Sequence, residues 1–127
     1  MPELSDLIGV PFLPHGRSKE GYDCYGCAIE VSRRFGHELP DVWYDRADGA
    51  TFDGKYSDVL SRLGGSLSRT GSFEEGNIIL FSDRGRMVHI GVCLMGDDFI
   101  HCDRYGVRVS KLSTYQWRKY EVYKWSD

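Results

Sequence analysis

The chain has 127 residues, which at the usual domain size predicts one catalytic or binding domain over residues 1–127. Hydrophobic residues make up 41% and charged residues 28%, and this composition excludes intrinsic disorder. With 16 Lys and Arg against 19 Asp and Glu, the net charge of −3 provides no general attraction to nucleic acid or to a membrane surface.

Targeting and membrane signals are absent from the pattern. The first residues lack a basic start followed by an apolar run, so we expect synthesis in the cytoplasm without a signal peptide. The longest apolar stretch, Met87–Met95, is shorter than the roughly 20 residues of a transmembrane span. Nucleic acid and membrane are therefore not expected as partners.

The first regular element in chain order is a predicted helix over Cys24–Phe35. Its apolar residues recur at intervals of three and four, which is the spacing of one helical face. Asp23 stands where an N-cap residue would, and Gly36 follows the last turn, where glycine often ends a helix. The pattern therefore places Cys24 in the first turn.

The remainder of the chain favours strands. The segment 37–75 has a weak pattern, in which Tyr56–Leu63 is predicted as a short helix. The last third predicts five strands, over Ile78–Phe81, Met87–Leu94, Phe99–Cys102, Val107–Ser110 and Tyr120–Trp125. One helix followed by a run of antiparallel strands is an α+β arrangement.

Three polar residues stand at positions suited to nucleophilic catalysis. At a helix start, Cys24 faces unpaired N–H groups and the positive dipole end, which favour a thiolate and hold an oxyanion. His89, on a predicted strand beside the small Gly91, is the candidate base. His101, near the end of the next strand, is the candidate group that orients it. Alone, a cysteine on a helix is more often a small core residue, and a histidine on a strand is more often a hydrogen-bonded structural residue.

The cysteine spacing leaves other sites open. Cys24 and Cys27 form a C-x-x-C pair, but zinc needs a second close pair, and Cys93 and Cys102 are nine apart in strand-like sequence. No βαβ pattern surrounds the pair, as a thioredoxin-like dithiol would require. A zinc module and a dithiol are retained as minor alternatives, and no metal or other cofactor is expected.

Several segments resemble motifs of one family, in matching order and approximate spacing. Gly21–Cys27 resembles the Gly-x-Asp-Cys-Ser-Gly nucleophile motif of the NlpC family of cell-wall cysteine peptidases. Leu39-Pro40 is similar to the Leu-Pro that follows the helix in many members. Similarity to the family's strands is found at Gly76–Phe81, Val88–Val92 and Phe99–His101. The resemblance covers about residues 9 to 124.

The resemblance implies a papain-like α+β fold, with the helix packed on an antiparallel sheet of about five strands. It implies Cys24 as nucleophile, His89 as base and His101 as orienting residue. It also implies that Asp23 receives a free amino end of the substrate. The substrate-binding candidates beside the nucleophile are Asp23, Tyr22, Tyr25 and His15.

The chain departs from the family pattern near the site. Phe12 stands where members often carry a tyrosine whose hydroxyl assists the site, and Tyr22 and His15 are the candidates to replace it. Tyr25 replaces the usual serine after the nucleophile, and Asn77 replaces a usual aspartate. These differences bear on substrate preference more than on reaction type.

The function implied is hydrolysis of an amide bond in peptidoglycan stem peptides, at the γ-D-glutamyl bond to the diamino acid. The upstream Ile8–Pro11 segment resembles phage-tail and prophage members, which implies tail proteins as partners and assembly into a virion. An N-acetylmuramoyl-L-alanine amidase remains an alternative. A catalytically inactive structural or binding module of a tail is another, because Phe12 lacks the hydroxyl.

Strand register decides whether the two histidines meet. A two-residue turn at Gly96-Asp97 would place His89 and His101 on opposite faces of the sheet, because a one-residue slip reverses every side chain. We therefore predict a wider loop or a β-bulge between Gly91 and Phe99, with the two imidazoles within hydrogen-bond reach.

Overall fold

In a computed structural model of the protein, the described residues are 1–41, 47–48, 51–52, 54–55, 66–84, 86–116 and 119–126. They contain a helix, α1, over Cys24–Arg34, and a 3-10 turn at Leu112–Thr114. The strands are β1 Arg17–Ser18, β2 Gly21–Tyr22, β3 Ala47–Asp48, β4 Thr51–Phe52, β5 Gly54–Lys55, β6 Leu67–Thr70, β7 Ile78–Asp83, β8 Arg86–Cys93, β9 Asp98–Asp103, β10 Gly106–Lys111 and β11 Tyr120–Trp125. The predicted helix over Tyr56–Leu63 lies outside the described residues.

Capping residues set both ends of the helix. Asp23 adopts an extended conformation, and its carboxylate accepts the N–H of Gly26, which satisfies one orphan donor of the first turn. At the other end Gly36 takes φ of 91°, a left-handed conformation that favours glycine. Phe35 becomes the C-cap residue, so α1 ends one residue before its predicted end. No helix in the described ranges is long and apolar enough to cross a membrane.

A seven-stranded sheet forms the scaffold. Six strands are hydrogen-bonded in the order β10-β9-β8-β7-β11-β6, and β5 also pairs with β8. All of these pairings are antiparallel. The five strands predicted from sequence are present, each within two residues of its predicted ends. The sequence pattern did not predict the other two strands of this sheet: β5 has only two residues, and the residues of β6, Leu67–Thr70, are mostly polar and show no alternation.

The sheet is apolar on both faces. One face packs α1 against β8 and β9, with Val31 of the helix and Ile90, Val92 and Ile100 of the strands fully or almost fully buried. The opposite face carries a second cluster that includes Phe81, Phe99 and Tyr115.

A β-bulge changes the orientation of β8 just before His89. Phe81 of β7 pairs with His89, but Ser82 pairs with Met87, so Val88 is the extra residue. Met87 consequently joins the helix-side core and Val88 packs with the opposite cluster. Regular alternation along the strand would place Val88 on the same face as Ile90 and Val92, and the bulge places it on the opposite one.

Candidate active site

Cys24 is the first residue of α1 and lies against the sheet. Its side chain is 2% exposed and belongs to the core between helix and sheet. The N–H groups of a helix's first turn have no acceptor within the helix, so the backbone around Cys24 presents donors and the positive dipole end. The expected preference for a thiolate is nevertheless wrong for the resting site, because burial raises the pKa of the Cys24 thiol.

The thiol is positioned where β8 and β9 separate. The N–H of Cys93 donates toward β7, to Asn77, whereas the N–H of Leu94 donates toward β9, to Asp98. Because N–H groups alternate along a strand, that of Ile90 also points toward β9. The β8–β9 ladder ends at Val92, so this N–H reaches no strand partner and is directed instead at the Cys24 sulfur.

His89, the neighbour of Ile90 in the chain, forms a buried pair with His101. Nε2 of His89 lies 2.8 Å from Nδ1 of His101, and the rings meet edge to face with centroids 5.0 Å apart. The side chains are 0% and 1% exposed. Because His89 uses Nε2 for this contact, exchange of a proton with a thiol would use its Nδ1.

The register that brings the histidines together comes from a wider loop. Val92 pairs with Ile100 and Cys93 with Phe99, and Asp98 accepts the Leu94 N–H, so three residues at 95–97 form the turn. One further step of this register places His101 level with Gly91, diagonal to His89 and on the same face. The predicted widening of the loop and the predicted hydrogen-bond reach are confirmed.

Gly91 provides the space for this packing. A Cβ atom at Gly91 would lie 2.8 Å from Cδ2 of Phe99, which is closer than real Cβ contacts occur. The Phe99 ring in turn stacks on His101, with centroids 4.6 Å apart. The missing side chain therefore admits an aromatic ring that supports the second histidine.

Two residues that contact the histidine pair, Ser110 and Tyr115, were not predicted from the sequence. Nε2 of His101 lies 2.8 Å from the Ser110 hydroxyl oxygen, so both nitrogens of this ring have polar contacts. The Tyr115 ring lies against both imidazoles, with centroids 5.8 Å from His89 and 5.0 Å from His101. Its hydroxyl is 3.5 Å from Nδ1 of His101. The turn at 104–105 could have indicated Ser110. A two-residue turn fixes the β9–β10 register, and that register places Ser110 on the same face as His101.

Burial controls ionisation at the site. It lowers the pKa of His101 to about 2, with smaller contributions from His89 and Arg108, so this ring is neutral. Burial also raises the pKa of the Cys24 thiol, and the Asp23 charge adds to the rise, while the Ile90 N–H acts in the opposite direction. At rest Cys24 is consequently a neutral thiol and His101 a neutral imidazole.

The two cysteines of the C-x-x-C pair do not differ in burial. Cys27 is 1% exposed, and burial raises its pKa as it does for Cys24. Burial therefore does not distinguish the two thiols, because the start of α1 is itself covered in the fold. What distinguishes Cys24 is the Ile90 N–H at its sulfur. All four cysteines are free thiols, and the described residues include no group of three metal-ligating side chains.

The Asp23 carboxylate accepts hydrogen bonds from three groups within the protein. Oδ1 accepts the Gly26 N–H at 2.7 Å and Nη1 of Arg17 at 2.9 Å, and Oδ2 accepts the His15 N–H at 3.1 Å. The residue is 1% exposed. These contacts support the N-cap prediction and argue against capture of a substrate amino group. Arg17 was not predicted as a partner of Asp23, because the residues before the helix show no periodicity.

The other substrate-binding candidates divide into core and surface. Tyr22 and Tyr25 are 3% and 0% exposed, and the Tyr25 hydroxyl donates to the Pro40 carbonyl oxygen, which argues against direct substrate contact by either. His15 is half-buried in a left-handed conformation and lies beside Asp23. Phe12 packs against the helix-side core and forms an isolated parallel β-bridge with Tyr22.

A helix that opens with cysteine and packs on an antiparallel sheet bearing a buried histidine pair defines a papain-like α+β cysteine hydrolase. The model of the NlpC/P60 family matches residues 9–126, and the chain belongs to this family, whose members are cysteine peptidases acting on peptidoglycan. Among solved structures, the NlpC/p60 domain of the peptidoglycan hydrolase SagA matches with a TM-score of 0.64 and 16% identity, covering 93% of this chain and 90% of that one. No curated protein matches the chain in sequence.

Proposed function

We propose that this cysteine peptidase hydrolyses the γ-D-glutamyl bond to the diamino acid of peptidoglycan stem peptides. Cys24 is the nucleophile, His89 the base and His101 the orienting residue. Two observations carry the proposal: the 2.8 Å contact between Nε2 of His89 and Nδ1 of His101, and the Cys24 thiol that faces the N–H of Ile90, the residue after His89.

The reaction proceeds through a thioester. His89 takes the thiol proton, and the Cys24 sulfur attacks the amide carbon, forming a C–S bond. The oxyanion that develops is stabilised by N–H groups at the start of α1. The C–N bond then breaks as His89 returns the proton to the leaving amine. Water attacks the thioester carbon, the C–S bond breaks, and the products are a free carboxylate and the regenerated Cys24 thiol.

Access to the nucleophile requires movement. With Cys24 and His89 at 2% and 0% exposure, a substrate carbonyl reaches the sulfur only after covering groups are displaced. Exclusion of water from the resting site strengthens the electrostatic interactions within it.

Digestion of purified peptidoglycan, with mass spectrometry of the new ends, tests the proposal. We expect a free γ-carboxylate on D-Glu and a free amine on the diamino acid. Lactyl-ended glycan would identify the amidase alternative instead. Cys24→Ala should yield no products, and Cys27→Ala is the matched control that should retain activity. Intact peptidoglycan after treatment with folded wild-type protein would support an inactive module.

We further propose delivery of the domain to the wall as part of a phage tail. The support is sequence similarity alone, in the Ile8–Pro11 segment and the bulky Tyr25 after the nucleophile. Prophage induction in the source cells, followed by particle purification, tests this proposal. The protein should co-purify with tail particles, and recovery solely in a particle-free fraction would contradict it.

A further inference from the structure

The second nitrogen of His101 has a partner that the proposed triad does not use. Nδ1 faces His89 and Nε2 faces the Ser110 hydroxyl oxygen, each at 2.8 Å. The ring is 1% exposed, whereas Ser110 is half-buried and lines an open depression of about 370 Å³ on the β10 side. His101 thus connects the buried base to a hydroxyl near the surface.

Proton counting relates the hydroxyl to the reaction. A neutral imidazole carries a single N–H, so His101 can donate through Nδ1 or through Nε2, but not through both. Once His89 has taken the thiol proton, both of its nitrogens carry hydrogen, and its Nε2–H points at Nδ1 of His101. That atom must therefore be an acceptor, which leaves the proton of His101 on Nε2, facing Ser110.

We propose that Ser110 is a positioning residue that accepts the His101 Nε2–H and so holds the histidine pair in the tautomer needed for catalysis. This inference rests on the proposed function, since it assumes that His89 receives a proton from Cys24. In the opposite arrangement the Ser110 O–H donates to Nε2. His101 then donates through Nδ1, and His89 cannot keep a hydrogen on Nε2.

The local geometry suits an acceptor at this place. Ser110 pairs with Phe99 across the β9–β10 hairpin and therefore shares its face of the sheet with His101. Arg108, which pairs directly with His101, is bound to Asp103 by an ion pair. Ser110 is the residue whose oxygen the structure places at Nε2.

Substitutions at Ser110 test whether its oxygen acts as a hydrogen-bond acceptor or whether the side chain merely fills space. Ser110→Asp retains an acceptor that cannot donate, so it should keep kcat within about threefold of wild type. Ser110→Ala should lower kcat roughly tenfold with little change in KM, as loss of an orienting partner commonly does. Ser110→Thr should restore most of the rate. Val109→Ala, an exposed neighbour on the same strand, is the matched control and should have no effect.

Nitrogen-15 NMR of the imidazoles provides a readout that does not need a substrate. In wild type we expect hydrogen on Nε2 and none on Nδ1 of His101, and in Ser110→Ala a mixture of tautomers. A wild-type spectrum with hydrogen on Nδ1, or a Ser110→Ala variant with unchanged tautomer and kcat, would overturn the inference. If the tautomer shifts as expected while wild type leaves peptidoglycan intact, the hydrogen bond from His101 to Ser110 is established and the proposed function fails.

Discussion

Arg17 donates from Nη1 to Oδ1 of Asp23 at 2.9 Å, so the acidic residue before the nucleophile forms an ion pair within the fold. The same guanidinium contacts Asp41, which is exposed, whereas Asp23 is buried. The acid that precedes Cys24 therefore acts first as a structural residue, joining the segment before α1 to the helix start.

Replacing Asp23 should reveal this structural role. Asp23→Ala removes an N-cap and leaves the Arg17 charge and the His15 N–H without this acceptor. We expect the free energy of unfolding to fall by about 2–3 kcal/mol, more than the ~1 kcal/mol of an ordinary cap. Asp41→Asn is the control and should change little, because exposed ion pairs contribute weakly. Chemical denaturation measures both, and equal effects would contradict the assignment.

Cys24 should be the reactive thiol. Burial raises the pKa of both Cys24 and Cys27, so alkylation by iodoacetamide at neutral pH should be slow at each. Transient opening exposes Cys24 beside His89 and the Ile90 N–H, and we expect its label to accumulate at least about tenfold faster. Peptide mapping by mass spectrometry gives the two rates. Faster labelling of Cys27 would reverse the assignment.

The burial of His101 predicts a pH-dependent stability. Its pKa is lowered to about 2 in the fold, against about 6.5 in the unfolded chain, so below pH ~6.5 the unfolded state binds the extra proton. As far as His101 determines it, the free energy of unfolding is highest above pH ~6.5. It decreases as the pH falls, by up to about 1.4 kcal/mol per pH unit.

Urea denaturation of wild type and His101→Gln at about pH 7 and about pH 5 measures this contribution. Between about pH 7 and about pH 5, the free energy of unfolding of His101→Gln should fall by about 2 kcal/mol less than that of wild type. Other groups titrate in both proteins, so the difference between the two slopes isolates His101. Parallel slopes would show that the ring is protonated in the folded protein, contrary to its burial.

Gly91 should not tolerate a side chain. A Cβ atom would displace the Phe99 ring, which stacks on His101, so Gly91→Ala should destabilise the protein by about 1–3 kcal/mol and lower kcat. Gly71→Ala is the control, because a Cβ there meets nothing within 4 Å. Thermal unfolding and turnover are the measurements. A Gly91→Ala variant with normal stability and rate would contradict the tight packing.

The sequence alone determined the framework of this protein. The helix start at Asp23 and Cys24, the C-terminal glycine and the five main strands follow from capping and periodicity, which are local properties. Family motifs then indicated Cys24, His89 and His101 together. The pairing of Ser110 with Phe99 was also within reach, because the turn between β9 and β10 has two residues and fixes their register.

Tertiary structure alone decided how these groups meet. The three-residue turn at 95–97 and the bulge at Val88 set the faces of His89 and His101, and both depend on packing across strands rather than on local propensity. The burial of Cys24, which raises its pKa, likewise arises from the sheet that covers the helix start. Arg17 lies in the two-residue strand β1 and Tyr115 follows the 3-10 turn, and long-range contacts that no periodicity encodes fix the place of both near the site.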